Sequence, residues 1–171
     1  MTGGWRVPDT WTPDARLREG ERLADEGATA PRTVELAGAI QARFGGVLGQ
    51  ASAALVVVQA LPYVPDPSGE EWLQTVAETW TVGGDCEDLS TAFVALARAL
   101  GLRARLVWLP LPGEAFPHVS AQISPDPASV PSATAVWWWA EPSVRAHLGE
   151  YPLDAAARLN HWRPFGRTLG R

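Results

Sequence analysis

The sequence predicts an α+β domain in which a helix that begins at the only cysteine packs on an antiparallel sheet. Two observations lead to this prediction. Apolar residues recur with a helical period through the first hundred residues, and the period changes to two after Gly101. Helices followed by strands, rather than alternating with them, are typical of the α+β class. The chain has 171 residues, of which 46% are hydrophobic, so one domain with a sizeable core can form.

Three helices are predicted in the N-terminal part of the chain. Thr12-Pro13 has the form of an N-cap followed by a first helical residue, and the helix should cover residues 12–25. A second helix should begin at a proline and cover residues 31–44. The third, residues 47–60, is almost wholly apolar, so we expect it to be deeply buried. Its β-branched run at residues 55–60 also fits a strand.

The only cysteine, Cys86, begins the next predicted helix. After it, apolar residues recur at steps of four, three and four, at Leu89, Phe93, Leu96 and Leu100. This spacing predicts a helix from Cys86 to about Leu100, ended by Gly101. A helix N-terminus presents unpaired N–H groups and a partial positive charge, and both stabilise a thiolate. The position therefore suits a reactive cysteine, although a lone cysteine is more often a small buried hydrophobe.

Strands are predicted in the last third of the chain. Alternating patterns indicate strands at residues 103–109, 118–124 and about 133–140, with proline-rich turns between them. A short helix is expected at residues 154–159. Upstream of the cysteine, residues 70–80 fit either a short helix or an irregular segment.

His118 is the predicted base for the cysteine. A cysteine nucleophile needs a base within hydrogen-bonding distance, and His118 stands at the start of a strand. Strand alternation places it on the face opposite the apolar residues, where it could meet a helix N-terminus. The other two histidines, His147 and His161, lie in polar, turn-rich sequence and are expected at the surface.

Glu141 is the predicted group that orients the histidine. A carboxylate commonly holds the second imidazole nitrogen in such sites. Glu141 follows the third predicted strand, after three consecutive tryptophans, and an adjacent strand would bring it beside His118. Asp126 is the alternative, although it lies in a proline-rich turn only eight residues after the histidine.

Several blocks of the chain resemble the bacterial and phage transglutaminase-like cysteine peptidases. The blocks are residues 63–67, 73–75, 84–88, 118–122 and 139–143. The resemblance extends over about residues 13–152 and implies a papain-like fold. It implies that Cys86 is the nucleophile, His118 the base and Glu141 the orienting acid.

The chain departs from that family's usual pattern in two places. It has Glu141-Pro142-Ser143 where Asp-Pro-Thr is usual, and the longer acid changes the reach to the histidine. After the histidine it has Ser120 and Gln122, where the family favours an aromatic and an acidic residue.

The chain is expected to divide into three parts. These are an N-terminal helical appendage (1–46), a catalytic core (47–153) and a tail (154–171) that packs on the core or is partly extended.

Three acidic residues surround the cysteine, at Asp85, Glu87 and Asp88. Their negative charge should raise the pKa of the thiol. Either Asp85 or Asp88 caps the helix, or these carboxylates hold a Ca²⁺ ion, as the resemblance to calcium-dependent relatives allows. No other cofactor is expected.

An oxyanion hole would combine the backbone N–H of Cys86 with one side-chain donor. The upstream candidates for that donor are Gln74, Trp80 and Tyr63. The sequence does not choose among them.

The resulting functional hypothesis is a cysteine-dependent acyl-transfer enzyme that acts on a protein or peptide. Hydrolysis of a peptide or isopeptide bond through a thioester is favoured over amine transfer. All fourteen basic residues are arginine, so the chain could not crosslink itself through lysine. The alternative is a non-catalytic binding or assembly module, as a component of a phage-like particle.

The composition limits the classes of binding partner and the cellular compartments that we expect for the protein. A net charge of −5 argues against a nucleic-acid surface. No apolar run approaches the roughly 20 residues that span a bilayer, and the first residues lack a secretory signal. One cysteine forms no internal disulfide. A soluble cytoplasmic protein is therefore expected, free or within a phage-like particle.

Overall fold

The structure is a computed structural model that describes residues 4–8, 10–67, 70–109 and 118–158. Within these ranges the helices are α1 (Pro13–Gly27), α2 (Pro31–Gln41), α3 (Gly46–Gln59), α4 (Val76–Val82), α5 (Cys86–Ala99) and α6 (Pro152–Arg158). The strands are β1 (Trp5–Arg6), β2 (Trp72–Leu73), β3 (Arg103–Leu109), β4 (His118–Ser124) and β5 (Trp138–Ala140). The α+β class is confirmed, since helices precede an antiparallel sheet along the chain.

The main sheet has the order β3-β4-β5 and is antiparallel throughout. Strands β3 and β4 have the predicted bounds, and their register places Leu109 opposite His118. Strand β5 is shorter than predicted. The N–H groups of Thr134 and Ala135 both donate to the carbonyl of Pro131, so this segment closes a turn instead of joining the sheet.

Helix α5 lies at the centre of the fold. It packs against β3 and β4 on one side and against α1, α2, α3 and α4 on the others. Every residue from position 87 to position 97 is buried, and Phe93 is the largest side chain among those with no exposed surface. Because this helix is enclosed by the other elements, the position of its first residue is fixed by the whole core.

The predicted N-terminal appendage is part of this core. Helices α1 and α2 contribute Ala24, Ala37 and Ile40 to the same apolar cluster as α5. Polar contacts add to this packing, because Arg98 of α5 forms an ion pair with Glu21 of α1. The division predicted at residue 46 therefore corresponds to no gap in the packing.

Helix α3 is less buried than its composition predicts. Leu55 and Val58 face the core, but Leu48 and Val56 are 59% and 65% exposed. Only one side of this helix meets α2 and α5, so the opposite side stays at the surface although it is apolar. The segment is helical, and the strand alternative for residues 55–60 is wrong.

Strands β1 and β2 were not predicted, and helix α4 was predicted only as one of two alternatives. Strands β1 and β2 pair with each other in an antiparallel ladder of two residues each, which is too short for a periodic signal. Residues 70–80 contain both β2 and the start of α4. Residue 159, at the end of the predicted last helix, and His161 lie outside the described residues. Among the helices of the described ranges, none combines the length and apolarity that crossing a membrane requires.

Candidate active site

Cys86 is the first residue of α5, and its side chain is partly exposed. The residue before it, Asp85, is the N-cap. One carboxylate oxygen of Asp85 accepts the N–H groups of Glu87 at 2.9 Å and Asp88 at 3.3 Å. Of the two capping residues considered from sequence, Asp85 therefore fills this role and fixes the turn that carries the sulfur.

The two glycines before the cap hold the cysteine loop against residues 62–64. Gly83 has φ +83°, and a Cβ atom there would lie 2.1 Å from the carbonyl oxygen of Pro62. A Cβ on Gly84 would lie 2.4 Å from the Cβ of Asp88. Gly84 also exchanges backbone hydrogen bonds with this segment, accepting from the N–H of Val64 at 2.9 Å. No larger residue fits either position without displacing the loop.

The N-terminal turn of α5 is bonded to the start of β4. The backbone of Val119 in β4 is close enough to the Cys86 thiol to act on its pKa. One turn further along the helix, the hydroxyl of Ser90 donates to the carbonyl of Val119 at 3.1 Å. The N-terminal part of α5, which begins at Cys86, is therefore joined to the residue that directly follows His118 in β4, although 32 positions separate cysteine and histidine in the chain.

His118 and Glu141 form a buried pair. Nε2 of the imidazole lies 2.8 Å from Oε2 of the carboxylate, and the two side chains are 0% and 1% exposed. Glu141 directly follows β5, whose Ala140 lies opposite Ala121 of β4. The sheet register therefore brings the acid to the histidine, as expected from the sequence.

Glu141 is itself held by two residues that the sequence analysis did not assign. The N–H of Ser143 donates to Oε1 of Glu141 at 2.9 Å, and the hydroxyl of Ser143 donates to the same oxygen. The amide of Gln59, at the end of α3, donates to the carbonyls of Glu141 at 2.9 Å, Val144 at 2.8 Å and Ala146 at 3.0 Å. The only signal for Gln59 in the sequence is an amide at the end of an apolar helix.

The carboxyl group of Glu141 is ionised more readily than an ordinary buried acid. Burial acts to raise its pKa, but the charge of His118 and hydrogen bonds from His118 and Ser143 lower it below the usual value. An ionised carboxylate at this point stabilises a proton on the imidazole.

The pKa of the Cys86 thiol is shifted in the opposite direction. Burial raises its pKa well above the usual value, and the charges of Asp85 and Glu87 add to this effect. The nearby backbone of Val119 acts to lower the pKa but does not offset the rise. A raised pKa favours the neutral thiol over the thiolate.

Asp126, the alternative orienting acid, and His147, another of the three histidines, lie in different surroundings from the His118–Glu141 pair. Asp126 accepts the N–H of Val136 at 2.6 Å, so its carboxylate closes the loop between β4 and β5. His147 is exposed, as its polar surroundings predict.

Of the three candidate oxyanion donors, two direct their N–H groups to other partners. The indole N–H of Trp80 donates to the hydroxyl of Thr33 at 2.9 Å, toward α2. The side-chain NH₂ of Gln74 donates to Asp88 at 2.7 Å. Tyr63 forms a parallel bridge with Gly84, two residues before the cysteine. Burial and the neighbouring Cys86 both raise the pKa of the Tyr63 hydroxyl, which therefore remains a hydrogen-bond donor.

The acidic residues near the cysteine accept hydrogen bonds from other groups of the protein. Asp85 accepts backbone N–H groups, and both carboxylate oxygens of Asp88 accept from Gln74. In the described ranges, no group of three or more His, Cys, Asp or Glu side chains is arranged to hold a metal ion. The arrangement therefore gives calcium no support, and calcium binding stays a prediction.

Burial shifts the ionisation of two of these acids toward neutral pH. It raises the pKa of Glu87 to about 8 and that of Asp88 to about 7.

A cysteine at the start of a buried helix, bonded to an antiparallel strand beside a His–Glu pair, defines a papain-like α+β core. A comparison with protein families agrees, because residues 38–148 match the model of the transglutaminase-like superfamily. That span is more than half of the chain and contains Cys86, His118 and Glu141. The chain therefore belongs to the transglutaminase-like superfamily, whose domain is usually that of a cysteine enzyme. No curated protein and no solved structure gives a significant match.

Proposed function

We propose that the protein is a cysteine-dependent acyl-transfer enzyme that hydrolyses a peptide or isopeptide bond through a thioester at Cys86. The observation that supports the proposal is the buried pair of His118 and Glu141, whose Nε2 and Oε2 atoms lie 2.8 Å apart. The residue after His118, Val119, accepts a hydrogen bond at 3.1 Å from Ser90 of α5, the helix that begins at Cys86. In this proposal Cys86 is the nucleophile, His118 the base and Glu141 the orienting acid.

The proposed reaction begins with transfer of the thiol proton to His118. Because Nε2 is bonded to Glu141, Nδ1 is the nitrogen that would take this proton. The sulfur attacks the carbonyl carbon, and the oxyanion receives hydrogen bonds from the backbone N–H of Cys86 and from Tyr63. The intermediate collapses as the imidazolium protonates the leaving amine, which leaves a thioester on Cys86.

Hydrolysis completes the cycle. His118 removes a proton from water, the resulting hydroxide attacks the thioester, and the carboxylic acid leaves as the sulfur recovers the proton. An amine in place of water would give a transglutaminase by the same steps. Glu141 serves both halves, since its negative charge stabilises the imidazolium each time it forms.

Three assays on the intact chain test the proposal and identify the acceptor. New N-termini in a peptide library would indicate a peptidase, ammonia from glutamine-containing peptides a deamidase, and incorporated dansylcadaverine a transglutaminase. We expect at least one product, and we expect Cys86→Ala and His118→Ala to abolish it. His147→Ala is the matched control, because it removes an exposed histidine and should retain activity. Absence of all products, or products that survive Cys86→Ala, would contradict the proposal.

A non-catalytic binding module, such as a component of a larger particle, is the second candidate. The raised pKa of the Cys86 thiol favours it, because a module needs no thiolate. Products in the three assays would exclude this candidate.

Alkylation of Cys86 by iodoacetamide should show how the thiol is activated. We expect the rate in the resting protein to rise with pH through a midpoint above the usual thiol value of about 8.5, because burial, Asp85 and Glu87 raise the pKa. Rates would be measured by mass spectrometry from pH 5 to pH 10. A plateau already reached near pH 6 would instead indicate a preformed thiolate–imidazolium pair.

Tyr63→Phe should lower kcat by about a hundredfold with little change in KM, the size of effect typical for loss of one oxyanion donor. The hydroxyl contributes only when charge develops on the carbonyl oxygen. Trp80→Phe is the comparison, since its N–H bonds Thr33 and not the substrate. Equal kcat for the wild type and Tyr63→Phe would assign the donor elsewhere.

A further inference from the structure

A pair of arginines lies on the same face of the sheet as the His–Glu pair. Residues directly opposite in an antiparallel pair share a face, and the side chains of one strand alternate between faces. Arg105 lies opposite Gln122, and Arg103 lies opposite Ser124. Gln122 and Ser124 are four and six residues beyond His118 in β4, so both arginines are on its face of the sheet.

Both guanidinium groups are held in fixed positions. The ring of Trp137 lies under them, with its centroid 3.9 Å from the guanidinium carbon of Arg105 and 5.1 Å from that of Arg103. The side-chain oxygen of Gln122 accepts two hydrogen bonds from Arg105, at 3.0 Å from Nε and 2.6 Å from Nη2. Arg103 donates to the carbonyls of Pro127 and Val130 and to the hydroxyl of Ser132.

Every one of these partners is electrically neutral. Within the described residues, no carboxylate forms an ion pair with Arg103 or Arg105, whereas Arg16, Arg22, Arg32 and Arg98 each have one. Both arginines are partly buried, so their charges are less screened than at an open surface. In the same described part of the chain, Nη1 of Arg105 forms no hydrogen bond, so it is available to a ligand. Glu21 is near enough to act on the charge of Arg105, but its carboxylate forms its ion pair with Arg98. Two fixed, adjacent positive charges without a carboxylate in direct contact favour binding of an anion.

We propose that Arg105, held by Trp137 and Gln122 and assisted by Arg103, binds a carboxylate of the substrate. The inference rests on the proposed function only in naming the ligand as substrate. Four residues of strand separate Gln122 from His118, which corresponds to about 13 Å at roughly 3.3 Å per residue. An extended peptide on this face would therefore place an Asp or Glu about four residues from the bond that Cys86 attacks.

The site can be tested by binding alone, in the full chain carrying Cys86→Ala. The probe is the blocked peptide acetyl-Glu-Glu-Glu-amide, compared by calorimetry with acetyl-Gln-Gln-Gln-amide. We expect the Glu peptide to bind about tenfold more tightly, because a charge-assisted hydrogen bond is stronger than a neutral one. A third peptide, acetyl-Gln-Gln-Gln with a free C-terminus, tests whether a terminal carboxylate serves as well as a side chain.

Two variants assign the effect to Arg105. Arg105→Gln should remove the preference for Glu, and Arg105→Lys should keep only part of it, since an ammonium cannot form the planar paired contact. Arg32→Gln is the control: it removes one exposed positive charge on α2 and should keep the preference. Melting curves establish that each variant is folded, and Arg105→Lys preserves the charge if Arg105→Gln unfolds.

Two results would overturn the carboxylate site. Equal affinity for the Glu and Gln peptides is one, and an equal loss of the preference in Arg105→Gln and Arg32→Gln is the other. Because Cys86→Ala removes the nucleophile, these results do not depend on turnover. If the protein binds the Glu peptide but yields no product in the three assays, the proposed enzymatic activity is refuted and the proposed carboxylate site stands.

Discussion

Glu141→Gln is expected to lower kcat/KM by about a thousandfold or more, the size of effect found when the acid of such a triad is neutralised. The glutamine retains the shape of the side chain and can still accept from Ser143. It has no negative charge to stabilise a protonated imidazole. Its amide would also present hydrogens to Nε2 of His118, where the carboxylate now lies 2.8 Å away, and would disfavour the required tautomer.

The measurement compares kcat/KM of the two proteins on the substrate identified by the product assays, with melting temperature as the check on folding. Asp126→Asn is the control, because this acid closes a loop and does not contact the imidazole. We expect it to retain activity. If Glu141→Gln kept near-normal turnover, or if Asp126→Asn lost as much, Glu141 would not be the orienting acid.

The free energy of unfolding is expected to fall as pH rises from about 5 to 8, and Glu87→Gln should remove much of that fall. Burial and nearby Glu71 raise the pKa of Glu87 from 4.5 to about 8 in the folded chain, despite the opposing charge of Arg16. Between these two values the folded state keeps a proton that the unfolded chain releases. Stability therefore declines with rising pH over this window and levels off above it.

Four neighbouring acids act in the same direction, because burial also raises the pKa of Glu71 and that of Asp85. Burial raises the pKa of Asp66 to about 6 and that of Asp88 to about 7. Glutamine at position 87 resembles the protonated acid and never ionises. We expect the variant to equal the wild type near pH 4.5 and to exceed it at pH 8.5 by on the order of 2 kcal/mol.

Urea denaturation at pH 4.5, 6.5 and 8.5 measures this difference. Glu35→Gln is the control, since Glu35 is 67% exposed and pairs with Arg32 on the surface of α2. Its stability should follow the wild-type pH curve with a constant offset. A Glu87→Gln curve parallel to that of the wild type would show that Glu87 ionises normally in the folded protein.

Much of the fold could be predicted where a local pattern in the sequence determines the structure. The bounds of β3 and β4 follow from strict alternation, and the start of α5 follows from a capping aspartate after two glycines. The meeting of His118 with Glu141 was predictable from the order of strands, because neighbouring antiparallel strands bring such positions together.

Other features depend on contacts between distant residues and leave no local signal. The exposed side of α3 is as apolar as its buried side, so composition cannot distinguish them. The sequence also leaves no sign that Thr33 accepts from Trp80 or that Asp88 accepts from Gln74. The role of Ser143 depends on the path of the chain after β5, which the pattern of the sequence does not define.

The contact of Gln59 with three carbonyl groups, at residues 141, 144 and 146, ties the identity of the acid to a helix far from it in sequence. A shorter aspartate at position 141 would reach His118 only if its backbone moved toward the sheet, and Gln59 anchors that backbone. Evolutionary exchange between glutamate and aspartate here should therefore be accompanied by change at position 59. The acid of this site and the end of α3 are expected to covary among relatives.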